Sequence, residues 1–376
     1  MAEGLSITRA AINAIGMHTA SPDWRLEPQA HAARLPAEAG ALKRILMRSD
    51  LQGLMDQFSA ADSRAGAAQS RYKRFGRLAI MLNAGAVILG ALSLAGADIL
   101  STFGVEPGDI TRSVALSVQY GLIAAALISA QLVIRLRPFE TWMKARAAAE
   151  MCRLELFETV IRLKEPQKDG ELALLPLQLE YFRRYQLGVQ LDYYSGRGAQ
   201  HDRAARGRAT RRDMYSLLGA LSVAPASAGA LSFVSDDWRS RIGGLLETAD
   251  ARLLSEPVIA SLLMVSGVIA ATLMAAQNAL SLLSQDRRNA SRYATAFDNL
   301  SYLYRTYIDT ARQAAVQGDK DAVLEFVGAV HAQISSEHQE WVRIQEESVR
   351  PGFDTIAAAR LPRLTGVSRS AQEGST

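Results

Sequence analysis

The side chains with catalytic or metal-binding chemistry are few and scattered. The five histidines are His18, His31, His201, His331 and His338. None has the His-Glu-x-x-His spacing that sets two imidazoles on one helix face around a zinc ion. His331 and His338 share a helix face at i, i+7, a pattern that a solvated surface produces equally well. Cys152 is the only cysteine, which excludes an intrachain disulfide, a cysteine zinc site and an iron–sulfur cluster. Acidic pairs such as Glu346-Glu347 lie in charged helical sequence and read as solvated. No Gly-rich loop ends in Lys-Ser/Thr, and no strand–turn–helix pattern frames a dinucleotide fingerprint. The expectation is a non-enzyme with no catalytic residue, metal or cofactor.

A different kind of polar residue carries more information. Asn83, Gln119, Gln131, Thr272, Gln277 and Asn278 stand inside strongly apolar sequence, as do Ser129 and Ser222. An amide in that setting either hydrogen-bonds a neighbouring helix or lines a wet path. The first six are therefore candidate pore-lining or interhelical residues. None is ionisable, which weighs against a proton-driven pump or ion-coupled carrier.

The elements that must position them are four stretches without a charged residue: Leu78–Ala97, Ser113–Ile134, Met214–Ser235 and Pro257–Gln285. A helix rises about 1.5 Å per residue, so roughly 20 apolar residues cross a hydrocarbon core of about 30 Å. Spans are expected at about 78–97, 113–134, 214–235 and 257–278. The third is the weakest, because Ser222-Val-Ala-Pro225-Ala-Ser-Ala-Gly-Ala230 is small and mildly polar and needs neighbouring helices in lipid. Small residues recur in the others (Ala84, Gly85, Ala86, Gly90; Ala124, Ala125, Ala126; Gly267, Ala270, Ala271), which favours close helix packing or self-association. The expected fold is an all-α membrane protein of two transmembrane hairpins with cytoplasmic helical extensions.

Charge sets the orientation. Arg71, Lys73, Arg74 and Arg77 precede the first span, and Arg135, Arg137, Lys144 and Arg146 follow the second. Arg203, Arg206, Arg208, Arg211 and Arg212 precede the third; Arg287, Arg288 and Arg292 follow the fourth. The hairpin loops are acidic: Asp98, Glu106 and Asp109 in one, Asp236, Asp237, Glu247, Asp250 and Glu256 in the other. Both termini and the centre of the chain are thus expected in the cytoplasm, as in a multi-pass protein of a bacterial inner membrane. Leu5–Met17 is too short and mixed for a signal-peptide core, so insertion rests on the first span. The net charge of +4 follows from this topology and calls for no nucleic-acid partner.

Outside the spans, 1–48 is expected to be loosely ordered. A helix should begin at Ser49 or Asp50 and run into the first span, with Leu51, Leu54, Phe58 and Ala61 at helical spacing. Pro138 marks a kink or restart, after which Trp142, Arg146 and Glu150 share one face. The polar stretch Lys164–Gly170 is the best internal boundary. It divides a first two-span domain, 49–165, from a second, 166–345, ahead of a disordered tail at 346–376. Aromatic-and-basic clusters flank the spans: Gln69 and Tyr72 before the first, and Gln190, Tyr193, Tyr194 and Arg197 upstream of the third. Interfacial anchoring accounts for the former. The latter lies about 30 Å from its span if helical and is better read as helix-on-helix packing.

Ala60-Ala-Asp62 and Ala68-Gln69-Ser-Arg-Tyr72 before one hairpin, with Trp142-x-x-x-Arg146-x-x-x-Glu150 after it, resemble the SLATT family of two-transmembrane effector domains. The second half resembles another branch: Tyr185, Gln190 and Asp192-Tyr193-Tyr194 precede the hairpin; Arg292-Tyr293, Ser336-Glu337-His338 and Trp341 follow it. The similarity spans roughly 45–345, as two divergent copies in tandem. It implies a pore-forming or membrane-disrupting effector that acts on a nucleotide-type signal in bacterial conflict or antiviral defence. It also implies a homo-oligomer in the lipid bilayer, with a nucleotide-synthetase or SLOG-type sensor as a separate partner. The motif residues Gln69, Tyr72, Trp142, Arg146, Glu150, Gln190, Tyr193, Tyr194, Arg292, Tyr293 and Trp341 then serve packing and signal coupling. The rival reading is a non-conducting membrane scaffold or sensor that presents its cytoplasmic helices to a partner. A reporter fused at Gly243 should lie outside the cytoplasm; cytoplasmic activity there contradicts the four-span arrangement.

Overall fold

A computed structural model describes residues 2–19, 23–102, 104–105, 108–231 and 256–336. These are almost entirely helical, and no strand occurs among them. In chain order the helices are α1 (Ala2–Ile15), α2 (Pro28–Arg34), α3 (Gly40–Leu46), α4 (Ser49–Thr102), α5 (Asp109–Leu136) and α6 (Pro138–Arg162). They continue as α7 (Leu174–Phe182), a π-helical turn (Arg183–Gly188), α8 (Val189–Leu231), α9 (Glu256–Ser284), α10 (Asp286–Gln317) and α11 (320–336). Two compact units interleave along the chain. One gathers Met1–Gln52, Arg153–Leu191 and the chain from Ala296; the other holds Gly53–Cys152 and Asp192–Thr295.

The second unit carries the apolar helices. Three helical stretches, Ser49–Ser101, Asp109–Arg162 and Ser261–Gln317, are long and apolar enough to cross a membrane. Their large apolar side chains are exposed on the chain itself, among them Leu94, Ile110, Leu127, Ile128 and Leu262. So much contiguous apolar surface is unfavourable against water and fits a membrane protein. The expected span at 214–235 lies in α8 as far as Leu231; its remainder falls outside the described residues, as do Trp341 and the tail at 346–376.

α4 is one uninterrupted helix of 54 residues, in line with the helical spacing from Leu51 to Ala61 and the expected run into the first span. At about 1.5 Å per residue it is roughly 80 Å long, well over twice a hydrocarbon core. Asp50 lies in its first turn, where its carboxylate accepts the Leu51 backbone N–H at 3.1 Å. The returning helices behave differently. α5 stops at Arg137 in the left-handed region, φ 41°, and α6 restarts at Pro138; α9 stops at Gln285, φ 49°, and α10 restarts at Asp286. Each left-handed non-glycine residue costs about 1–2 kcal/mol, so both hairpins hold the same break against a local penalty.

Small side chains bring these helices together, as the Gly/Ala pattern predicts. A Cβ at Gly90 of α4 would stand 2.5 Å from Gln119 Nε2 of α5, and one at Gly76 would meet Leu283 of α9 at 2.8 Å. Between α8 and α9, Ser266 Oγ donates to Ser222 Oγ at 2.8 Å, and Gly219 faces the Ala270 methyl. Such contacts bring helix axes close where no apolar driving force exists between helix and lipid.

The other unit corrects two expectations. Residues 1–48, expected to be loose, are largely helical and contribute Ala11, Ile15, Ala32, Leu42, Ile45 and Leu46 to a buried core. Their apolar positions are spread over short helices, one opened by Pro28 and the next preceded by Pro36, so no single stretch shows a sustained period. At the centre is α7, in which Pro176 through Phe182 are all buried. A helix buried all round is a core element, not a surface one. Phe157, Tyr181, Phe182 and Phe326 form its aromatic packing, with ring centroids 5.7–6.3 Å apart. The polar stretch 164–170 is also no boundary between units, since both sides of it belong to this one. Arg44 grips it, bonding Glu165 Oε1 at 2.8 Å, Glu171 Oε1 at 2.7 Å and the Pro166 carbonyl at 2.6 Å. Its polarity is that of a surface loop held by one guanidinium. α10 gives way to α11 at Gly318, whose φ of 76° glycine adopts without strain.

Two buried histidines make this unit acid-sensitive. His31 Nε2 lies 3.0 Å from the Arg25 carbonyl and Nδ1 2.9 Å from the Tyr181 hydroxyl. A carbonyl only accepts, so Nε2 carries the proton and Nδ1 receives the Tyr181 O–H; the ring is neutral. Burial pushes His31 down to about 4, and burial does the same to His331, whose ring stands edge-on to Phe182 at 5.6 Å. Below the ordinary value of about 6.5 the unfolded chain takes up protons that the fold refuses. Stability is therefore full above that pH and falls as pH drops toward 4. Each histidine contributes on the order of 1 kcal/mol per pH unit in that window. Thermal melts of the full chain in detergent should show Tm falling from pH 6.5 to 5, and His331→Leu should remove about half of the slope. An unchanged slope would overturn the burial argument for His331.

Candidate functional site

The candidate site is the set of polar and aromatic contacts that α4 and α8, ahead of their apolar segments, make with α6 and α10, and with the ends of α5 and α9. Arg146 of α6 bonds Glu150 Oε1 at 2.6 Å and Asp62 Oδ1 of α4 at 3.3 Å. Burial works against its charge, but Glu150 and Asp62 outweigh it and hold the guanidinium more firmly protonated than usual, with Tyr193 and Tyr293 contributing in the same direction. One turn nearer the left-handed break, Tyr72 packs on Phe139 and Trp142 at centroid distances of 5.4 and 6.3 Å. Burial raises the Tyr72 phenol, and the Lys73 ammonium lies 5.9 Å from the Trp142 ring centre.

The second hairpin repeats the arrangement with other residues. Tyr293 of α10 meets Tyr193 at 5.8 Å and Tyr194 at 6.0 Å, and stacks on His201 at 5.6 Å. Beyond it, at the break, the buried carboxylate of Asp286 gathers three partners. His201 Nδ1 lies 2.6 Å from Oδ1, Ser284 Oγ donates to Oδ2 at 2.9 Å, and Arg208 forms an ion pair with Oδ2. Arg208 Nη1 also donates to Ser284 Oγ at 2.8 Å, and Asn289 Nδ2 to the Ser284 carbonyl at 3.1 Å. One carboxylate thus ties α8 to the junction of α9 and α10. Burial lowers the His201 imidazole, and Lys73, Arg197 and Arg208 lower it further.

Of the sequence-predicted coupling residues, Tyr72, Trp142, Arg146 and Glu150 form one cluster and Tyr193, Tyr194 and Tyr293 another. Gln69 and Arg292 are half-buried in the same unit, and Gln190 is buried in the other unit. The intramembrane candidates are not brought together. Gln119 is half-buried against Gly90, an interhelical contact; Thr272 and Gln277 are half-buried; Asn83, Gln131 and Asn278 are exposed. Sequence reasoning missed Asp286, His201, Arg208 and Ser284. The available signal was His201 and Arg208 at i, i+7 on α8, together with an acid that directly follows an uncharged stretch. Among the described residues no three His, Cys, Asp or Glu side chains converge as a metal site requires.

Residues 56–158 match a family described as a protein of unknown function, DUF4231. The match takes in the first hairpin and both flanks, including Asp62, Tyr72, Trp142, Arg146 and Glu150, and covers about a quarter of the chain. No curated protein and no solved structure matches the sequence.

Asp286→Asn leaves Arg208 and His201 facing a neutral amide, and breaking a buried pair in this way costs about 3 kcal/mol. A double-mutant cycle with Arg208→Met, read as Tm in detergent, should show strong coupling. Additive effects would mean the pair does not hold α8 to the break.

Proposed function

We propose that this chain is a membrane effector that assembles several copies into a conducting or membrane-disrupting pore. The observation that carries this reading is the exposure of Asn83, Gln131 and Asn278 on otherwise apolar helices. An amide facing hydrocarbon is unfavourable by several kcal/mol unless something bonds it. A second copy, or water in a shared lumen, supplies that partner; one chain leaves the three amides on its outside.

In this reading four spans cross a bacterial inner membrane, α8 supplying the third, and the helical extensions and both termini are cytoplasmic. A nucleotide-type signal, delivered by a separate synthetase or SLOG-type sensor protein, shifts the extensions, and the spans reassociate around their amide faces. The signal and the setting in bacterial conflict or antiviral defence rest on the SLATT resemblance; the shift rests on the paired breaks at Arg137 and Gln285. A second reading, a non-conducting scaffold or sensor, draws on the large buried core around α7, a folded body that pore formation does not need.

Membrane potential during induced expression in bacteria, with and without neighbouring genes, separates the two. The pore reading expects depolarisation, lost on replacing Asn83, Gln131 and Asn278 together by Leu while the protein stays in the membrane. Gln119→Leu, a packing change against Gly90, should spare it. An unchanged potential under every condition points to the scaffold.

A further inference from the structure

Several buried or half-buried arginines elsewhere have carboxylate partners: Arg44 with Glu165 and Glu171, Arg146 with Glu150, Arg184 with Asp23, Arg312 with Glu180. Around Arg208 one carboxylate stands among several cations drawn from two helices. Lys73 and Arg77 stand one turn apart on α4, immediately before the apolar stretch that begins at Leu78. Arg197, Arg208 and Arg211 stand on α8, before the stretch that begins at Met214. Gly76 packs on Leu283, two residues from the break at Gln285, and Asp286 beyond it pairs with Arg208. Arg77, Arg208 and the helix break are therefore at one level. Among the described residues Lys73, Arg77, Arg197 and Arg211 form no ion pair; Asp286 meets Arg208 alone of these five.

The cations fall into two groups that share Arg77. Burial and then Arg77 and Arg197 make Lys73 easier to deprotonate, and burial followed by Arg77 and Arg211 does the same to Arg208. Like charges gathered from two helices oppose the compact state unless an anion joins them. The headgroup region extends about 5–7 Å beyond the hydrocarbon on each side, and Lys73, Arg77 and Arg211 all fall within five residues of an apolar stretch. Guanidinium groups fit phosphate oxygens in bidentate fashion, and basic pockets between membrane helices bind anionic headgroups.

We propose that Lys73, Arg77, Arg208 and Arg211, with Arg197 at the outer rim, form a binding site for a phosphate monoester or diester, occupied by the headgroup of an anionic phospholipid. The ligand completes the charge balance that Asp286 begins and clamps α4 to α8 at the membrane surface. The site needs the chain to be membrane-embedded but does not need it to form a pore. A chain that does not enter nanodiscs fails the membrane reading; one that enters without the lipid preference below fails this proposal.

The test uses the full chain in nanodiscs of phosphatidylcholine with or without phosphatidylglycerol, reading thermal stability and lipid retention. Phosphatidylglycerol should raise Tm and stay bound on extraction. Lys73→Gln, Arg77→Gln and Arg211→Gln together should cut its retention by about tenfold or more. The same triple change should raise Tm in phosphatidylcholine alone, since it removes repulsion. A charge-matched control outside the cluster (Arg71→Gln, Arg74→Gln and Arg135→Gln) should keep the retention, as should Lys73→Arg with Arg77→Lys. Equal loss in cluster and control variants means general surface attraction and overturns the site. Inorganic phosphate that stabilises the wild type equally in phosphatidylcholine alone assigns the cluster to a soluble phosphate ligand and overturns the lipid. If the triple variant fails to fold, Arg77→Gln alone, at an exposed position, should still weaken retention severalfold; no change there also overturns the proposal.

Discussion

Hydrocarbon offers no hydrogen bonds, and that constraint arranges most of the second unit. A helix can cross an apolar layer only with its backbone bonded internally and its charges moved to the ends. The apolar segments of α4, α5 and α9 accordingly hold hydroxyls and amides at most. Carboxylates, guanidinium groups and imidazoles collect where the segments stop. Polar groups within the segments are kept by local bonding: Ser129 Oγ donates to the Ala125 carbonyl and Ser222 Oγ to that of Leu218, each at 2.8 Å. The strong interactions, Arg146 with Glu150 and Asp286 with Arg208 and His201, stand at the margins, where partial burial strengthens them and water still reaches their neighbours.

The first unit meets the opposite problem, an interior of its own that contains charge. Glu180 on the buried helix α7 takes two guanidinium groups, Arg183 from the π-helical turn and Arg312 from α10 at 2.8 Å. Arg153 donates to Gln186 Oε1 at 2.7 Å, and Gln178 to the carbonyls of Val160 and Leu163. Arg184 pairs with Asp23, whose carboxyl burial tends to raise but Arg184 and the Thr19 N–H hold below its usual range. These bonds fix the rotation of α7 against α6, α10 and the N-terminal segment, because a buried polar group out of register loses its partner outright. The π turn helps, since one extra residue per turn re-aims Tyr185 onto His31 at 3.8 Å.

What could be read from sequence was whatever a local pattern encodes. The apolar stretches, the unbroken run from Ser49 through Arg77, the restart at Pro138 and the stop at Gly318 all depend on neighbours within a few residues. The order of the N-terminal segment did not show, because its buried residues acquire their meaning from distant partners: His31 bonds Tyr181, 150 residues on, and stacks on Tyr185. The break at Gln285 was equally hidden: no glycine or proline marks it, and the residue that stabilises it across the fold, Arg208, sits on another helix. Within the candidate site, the aromatic and Arg146 positions were legible because helical spacing put them on one face. Asp286 was not, since the acid at the end of an uncharged stretch gains its burial only from His201 and Arg208 on another helix.

The contrast between the outgoing and returning helices has a mechanical consequence. α4 runs through its apolar segment without a joint, as one continuous rod. The return strokes, α5 into α6 and α9 into α10, each carry an elbow at a single left-handed residue. A hairpin of one stiff limb and one jointed limb converts motion along the stiff limb into an angle at the elbow. The chain has two such hairpins, and the elbow of the second is latched by one carboxylate, while that of the first has an aromatic stack beside it. The two elbows are thus alike in backbone but held by different chemistry.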